Sequence, residues 1–298
     1  MIFTPELFAQ SLIAGVIIGV IYALMALGVT FIYSIVKMVN WAMGEFYMLG
    51  SFAQYFLVVS FLGPDLWYVA AVLSAASVFL VGWLIEPVLI KPMFTSWVER
   101  KDDYATVVTI ALLLLMRNLA TAISGPYQRT PGTMLPTVML GPLPENGARF
   151  AAFVCALLAL GLFWLLLKNT WLGLALRAAS QSRVGAQTSG IDVLRLDQFA
   201  FGLGVAMAGL AGALLAPVFL VFPTNGAVTV TKGFEIIVIG GLGSIPGALI
   251  AGVLLGVVES LGASFIASAY QNAYGFLVLL IVLAVRPSGL FGEKLRQA

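Results

Sequence analysis

Apolar residues run in long uninterrupted blocks along this chain, and polar residues gather in short clusters between them. Leu7 to Val36, Phe150 to Leu167 and Gln198 to Phe222 contain no Asp, Glu, Lys or Arg. A helix crosses a hydrocarbon core with roughly 20 apolar residues, so each block is long enough to span. The same reading over the whole chain predicts crossings near 9–36, 45–62, 67–90, 104–124, 149–168, 198–222, 245–265 and 269–286. A shorter apolar stretch, 233–243, carries Gly240, Gly241 and Gly243 and reads as a broken or re-entrant piece, tolerated at membrane depth only where protein or a water-filled cavity covers it. The expected fold is an all-α polytopic membrane protein: about eight transmembrane helices plus the short piece, in one transmembrane domain over 1–298. A β-barrel would need shorter, alternating segments. The first block has no basic flank before it, so it is expected to be a retained helix and not a cleaved signal peptide.

One polar interval breaks this pattern. Lys168 to Ala179, then Gln181 to Asp192, is basic, helix-prone and too long to be a simple connection, which takes only a handful of residues. Gly173 to Ala179 suits a helix, Gly190 can end one, and Asp192 can start the next. The interval 169–197 is therefore expected to be a docking surface on one face of the membrane. The plainer reading is a solvated interfacial helix.

Charge orients the chain. Hydrophobic residues make up 61% of it and charged residues 9%, so each Lys and Arg carries weight. With the N-terminus outside and nine passes, Lys37, Lys91, Arg100, Lys101, Lys168, Arg177, Arg183, Arg195, Arg286, Lys294 and Arg296 fall inside. Arg129, Arg149 and Lys232 then fall outside, and Arg117 within a span; the opposite orientation reverses that balance. The chain has no His, which removes His-based metal sites and Ser-His-Asp or Cys-His catalysis. It also has no phosphate-binding G-x-x-x-x-G-K-[ST] loop, so any ATP driving it is hydrolysed by another chain. No cofactor and no nucleic acid are expected. The single Cys155 sits in an apolar block and reads as a small packing residue.

Small residues recur four apart at Gly15 and Gly19, Ala208 and Gly212, and Gly252 and Gly256. Such pairs let helix backbones approach closely, either within the chain or at a seam with a second chain. Gly44-Glu45-Phe46 before Gly50-Ser51 echoes Gly233-Phe234-Glu235 before Gly240-Gly241-Leu242-Gly243-Ser244, suggesting two inverted halves with a pathway between them. Charges inside spans are costly and so are functional candidates. Arg117, Glu45, Glu235 and Glu259 each suit a polar conduit; equally, Arg117 can snorkel, and the two glutamates can sit at helix N-termini beside free amides.

Together these segments resemble the LivH-type permeases of branched-chain amino acid ABC importers, and the resemblance covers essentially the whole chain. It is carried by Val39-Asn40-Trp41-Ala42-Met43-Gly44-Glu45-Phe46-Tyr47-Met48-Leu49-Gly50, by Leu172-Gly173-Leu174-Ala175-Leu176-Arg177-Ala178 followed by Gly190-Ile191, by Gly240-Gly241-Leu242-Gly243-Ser244-Ile245-Pro246-Gly247-Ala248, and by Arg286-Pro287-Ser288-Gly289-Leu290-Phe291-Gly292. Trp41 and Met43 depart from the Phe and His usual before Gly44-Glu45, and Gln187-Thr188-Ser189 is more polar than usual. The resemblance implies a bacterial inner-membrane subunit that works with a second, LivM-type permease, two LivG/LivF-type ATPases that hydrolyse MgATP, and a periplasmic amino-acid-binding protein. It implies ATPase coupling through Trp171, Gly173, Arg177, Ala178, Gly190, Ile191 and Asp192. For the translocation path it suggests Asn40, Glu45, Arg117, Glu235, Gly240, Gly241, Gly243 and Glu259. Relatives of the broader family serve urea, short amides and aromatic acids, which leaves the solute open. An ion-coupled secondary transporter with broken helices remains the rival class.

Overall fold

A computed structural model describes residues 4–94, 98–132, 135–140 and 143–292. Lys294 and Arg296, counted above as inner charges, lie outside the described residues. Among the described residues eleven α-helices follow one another: α1 (Pro5–Val36), α2 (Met43–Leu57, extended by a π-helical turn Val58–Leu62), α3 (Trp67–Ile85, extended to Phe94), α4 (Lys101–Ser124), α5 (Gly147–Asn169), α6 (Trp171–Gln181), α7 (Arg183–Thr188), α8 (Val193–Leu215), α9 (Asn225–Gly240), α10 (Ile245–Phe265) and α11 (Gln271–Val285). A small hairpin, β1 (Val138–Leu140) against β2 (Leu143–Glu145), precedes α5. Among the described residues, eight helices are long and apolar enough to span a membrane, and the 16-residue α9 is not one of them.

Helix starts follow side-chain chemistry. Thr4, Asn146, Thr170, Ser182, Asp192 and Ser244 each accept a hydrogen bond from a backbone N–H of the first turn of α1, α5, α6, α7, α8 and α10. The expected short stretch 233–243 is corrected here. It is the second half of a continuous 16-residue helix that begins at Asn225. That first half is rich in Thr and Val, residues of weak helix propensity, so its local helix signal is small. The glycines end the helix: Gly241 and Gly243 have φ of 100° and 81°, which reverses the chain into α10. The connection is packed under the C-terminal segment, where Leu290 N–H donates to Ile239 O (2.8 Å) and Phe291 N–H to Gly240 O (3.0 Å).

The two halves are α1–α4 and α8–α11. α1 packs on α10 as α8 packs on α3, α2 packs on α8 as α9 packs on α1, and the pairs α1–α8 and α2–α9 join equivalent helices. Between the halves α5 adds one crossing, so the second half starts from the opposite face and the repeat is inverted. Gly28 meets Gly204 and Gly44 meets Gly226, each glycine facing the other's backbone carbonyl. This corrects the register of the sequence echo: Gly44 corresponds to Gly226, so Glu45 and Glu235 are not equivalent. The small-residue pairs are used within the chain. A Cβ on Gly15 or Gly19 would lie 2.7 Å from the Cα of Val257 or Val253, and one on Gly252 2.7 Å from that of Ala23. Close contact of this kind replaces the hydrophobic drive that lipid cannot supply.

Adding a methyl at the α2–α9 contact forces two backbones apart, and overpacking of this kind costs about 1–3 kcal/mol. Gly226→Ala is therefore expected to lower the melting temperature of the purified chain in a thermal-shift assay. Gly161→Ala, whose Cβ would meet open space on α5, is expected to leave it unchanged.

Candidate functional site

The face carrying α6 and α7 is called inner below, following the charge-based orientation. α6 is amphipathic: Gly173, Ala175, Leu176 and Ala179 are buried, whereas Trp171, Leu172 and Leu174 are exposed. Thr170 caps the helix through the Gly173 N–H at 3.0 Å, and a Cβ at Gly173 would run into the backbone of Leu166 and Leu167 at the end of α5. Arg177 points outward, its Nε 3.4 Å from the Gly173 carbonyl, and Ala178 O accepts from the Ser182 N–H at 3.0 Å. After α7, Gly190 has φ of 82°, the Ile191 N–H donates to Ala186 O (3.0 Å), and Asp192 caps α8 through the Arg195 N–H (3.2 Å).

One residue of this segment reaches into the body of the protein. Arg183, at the start of α7, donates to both carboxylate oxygens of Asp197 on α8, at 3.1 and 2.5 Å, and to the Ile35 carbonyl of α1 at 3.2 Å. Its guanidinium also lies 4.2 Å from the centroid of the Phe94 ring, where the α3 segment ends. Asp197 is fully buried. Glu86 near the end of α3 is buried close to Asp197, and neither of its carboxylate oxygens has a hydrogen-bond partner among the described residues. A single guanidinium thus ties the surface segment to three helices.

Two further charge clusters lie within the spans. In the first, Arg117 of α4 donates to Glu45 Oε1 in the first turn of α2, from Nη2 at 2.6 Å and from Nε at 3.2 Å. The pair straps the outlying α4 to the core, and a carboxylate beside the first-turn amides is favoured by the helix dipole. In the second, Lys232 of α9 contacts Glu259 of α10 and lies 3.5 Å from Glu235, one turn along its own helix. All three are buried. This corrects the sequence reading that left Lys232 in an outer connection. Gly275 of α11 closes over the cluster, with space for no side chain between it and the two carboxylates.

Two clefts approach this second cluster from opposite faces. The outer cleft, about 350 Å³, lies between α1, α10, the start of α11 and the β2–α5 corner, and Glu259, Tyr22, Glu145 and Arg149 line it. Burial pushes the Glu145 carboxyl above the usual carboxylate range, against the pull of the nearby Arg149 charge. The inner cleft, about 880 Å³, is bounded by Tyr33, Lys37, Gln181, Val238, Gly243 and Ser288. Glu259 lines the outer cleft, and Val238, which lines the inner one, is one turn beyond Glu235 on α9.

Of the sequence candidates, the structure brings together Glu235 with Glu259 and Glu45 with Arg117. Gly240, Gly241 and Gly243 form the α9–α10 turn beside the inner cleft. Asn40 is buried at the α1–α2 turn, its Oδ1 accepting from the Ala42 N–H at 3.0 Å. Sequence reasoning missed Lys232, Arg183, Asp197 and Glu86. For Lys232, the signal was its spacing of three from Glu235 in a segment that reads as helix once Asn225 is taken as its start. For Arg183 and Asp197 no local signal existed, because their pairing is tertiary.

The family model described as "Branched-chain amino acid transport system / permease component" matches residues 11–285. The chain is 31% identical to the high-affinity branched-chain amino acid transport system permease protein LivH of Salmonella typhimurium, over 96% of both chains. It is 30% identical to the corresponding protein BraD of Pseudomonas aeruginosa, over 97% of this chain and 98% of that one. It is also 25% identical to LivM of Escherichia coli, named a permease protein of the same kind of system, over 96% of this chain and 71% of that one. No solved structure matches the chain.

Proposed function

The chain belongs to the family of permease components of branched-chain amino acid transport systems, and from that premise we propose that it forms one half of the translocation unit of an ATP-driven importer for aliphatic amino acids. It is a multi-pass membrane permease; the other half is a second permease of the LivM type, and two ATPase subunits bind the inner face of the bacterial plasma membrane. A periplasmic binding protein delivers the solute to the outer face. The observation that carries the coupling part of this reading is the Arg183 tie between α7 and the helices α1, α3 and α8. A push on α6–α7 by the ATPases acts through that tie on α1 and α8, the two central helices. Their movement shifts α9 and α10 relative to each other and alternately opens the outer and inner clefts across the Lys232–Glu235–Glu259 cluster. This is rigid-body switching of packed helices, with no chemistry on this chain. Nucleotide and Mg²⁺ stay on the ATPases.

Exposed apolar side chains on a polar surface segment favour docking over simple solvation. Val184 of α7 is 70% exposed and Trp171 71%. The test is a mild-detergent purification of the tagged chain expressed from its native locus. Two ATPases and a second permease are expected to copurify. Val184→Asp is expected to lose the ATPases by more than roughly tenfold while retaining the second permease, since a buried unpaired carboxylate at an interface costs several kcal/mol. A chain that purifies alone and drives uptake from an ion gradient would overturn the reading.

A further inference from the structure

Residues of this chain line the outer cleft, and its polar atoms are left open in a specific way. Glu259 Oε2, Glu145 Oε1 and Arg149 Nε are buried and have no hydrogen-bond partner among the described residues. All three side chains line the same cleft. Glu259 is 1% exposed and Glu145 5%, so neither carboxylate is rescued by bulk water. Glu145 and Arg149 attract each other, yet buried hydrogen-bonding atoms left unfilled on charged groups still cost free energy that a folded protein normally avoids. Here both signs occur in one cavity, whose volume falls within the range of about 300–1,000 Å³ of small-molecule pockets.

The charge balance sharpens the point. Lys232 contributes one positive charge against Glu235 and Glu259, which leaves the buried cluster one positive charge short when both carboxylates are ionised. Lys232 meets Glu259 through Oε1, Oε2 has no partner at normal hydrogen-bond distance among the described residues, and the Gln271 side chain at the start of α11 lies near the same carboxylate. A cationic group arriving from the cleft would complete it. Arg149 offers the opposite charge at the start of α5, beside the β2 strand that carries Glu145. Between these poles the wall is apolar, formed by Leu7, Ala14, Ile18 and Phe219. Hydrogen bonds from Ser260 Oγ to Ser11 O (2.6 Å) and from Ser11 Oγ to Ser264 Oγ (2.8 Å) hold α1 and α10 together along the cleft.

We propose that this cleft is a binding subsite for a zwitterionic α-amino acid with an aliphatic side chain, its ammonium accepted by Glu259 and Glu145, its carboxylate held by Arg149 and its side chain against the apolar wall. The inference rests on the importer reading and adds to it a place within one permease. It also gives the ion cluster a role: the solute's ammonium supplies the missing positive charge at the point where the outer and inner clefts are separated. Neutral amides and urea lack that charge, and aromatic acids without an amino group lack it as well.

The test uses the complete complex in nanodiscs with Cys155→Ala, which removes this chain's single thiol, and Ala263→Cys, which places a reporter on the cleft wall, the labelling of this chain being read after its separation from the other subunits. The rate of modification by a charged methanethiosulfonate added from outside is measured with L-leucine, 3-methylbutylamine or 4-methylpentanoate present. L-leucine is expected to slow the reaction, and the two singly charged analogues to protect with an affinity weaker by more than roughly tenfold, the loss expected for one charge-assisted hydrogen-bonding partner. Arg149→Gln should remove the preference for L-leucine over the amine, and Arg149→Lys should restore part of it. ATP-driven L-leucine uptake is measured on the same preparations. Uptake without protection of the reporter, or a preference unaffected by Arg149→Gln, overturns the subsite and leaves the importer reading standing. Absence of both uptake and protection in the complex that retains native Arg149 overturns the importer reading and the subsite together.

Discussion

Asp197→Ala is expected to abolish ATP-driven uptake and to destabilise the chain by about 3–5 kcal/mol, the usual penalty for removing one member of a buried ion pair. The cause is Arg183. Without Asp197, its guanidinium keeps the Ile35 carbonyl, the Phe94 ring and the longer-range pull of the buried Glu86 carboxyl, and a partly buried cation loses its bidentate partner at the inner ends of α1 and α3. Thermal unfolding of the detergent-solubilised chain measures the first effect. The double variant Arg183→Met with Asp197→Leu separates stability from coupling. Replacing both charges with apolar groups is often neutral or stabilising, so its melting temperature should return close to that of the unaltered chain. Uptake should not return, because two flexible apolar side chains do not transmit a displacement as a bidentate ion pair does. ATPase activity that continues without uptake would mark the tie as the coupling element. A double variant with full uptake would show that force passes elsewhere, through the α5–α6 corner at Gly173 or the cap at Asp192.

How much of this was legible in the sequence depends on the range of the interaction that decides each feature. The long spans were legible, because an apolar block of the right length has one stable answer in lipid. The α6–α7 segment was legible in detail, down to Gly190 at its end and Asp192 at the start of α8, because caps and left-handed turns are local. The pairing of Gly15 and Gly19 with Gly252 and Gly256 was half legible: the spacing marked a close helix contact but not the partner helix. The repeat was visible as an idea and wrong in register. The echo aligned glycines by composition, whereas the symmetry is set by helix starts, where Gly44 and Gly226 face each other. The charge clusters were the least legible part. Glu45 and Arg117 were read as separate residues with separate local explanations, and the structure pairs them across 72 positions of sequence. Lys232 was misplaced because Thr229, Thr231 and Lys232 looked like a polar connection, although in α9 both threonine hydroxyls bond back to carbonyls of their own helix.

Lys232→Met is expected to be the most damaging single change within the spans. It removes the one cation of a cluster in which Glu235 and Glu259 are both buried under Gly275. Two carboxylates in that position repel each other and have lost their solvation, and the cost is again about 3–5 kcal/mol. Fluorescence-detected size exclusion of a tagged chain should show little folded protein in the membrane. The informative companion is Lys232→Met with Glu235→Gln and Glu259→Gln, which removes all formal charge while keeping the side-chain volumes close. That variant is expected to fold, since a neutral cluster no longer carries unpaired charge. It is also expected to fail in uptake, because an apolar and amide-lined barrier between the clefts offers an incoming ammonium no carboxylate to exchange with Lys232. Folding together with uptake at the unaltered rate would show that the cluster is a structural fastening between α9 and α10 and that the solute crosses along another surface. Folding without uptake would mean that the same three residues that close the barrier between outer and inner clefts also open it, with the solute's own charge competing for the lysine's place.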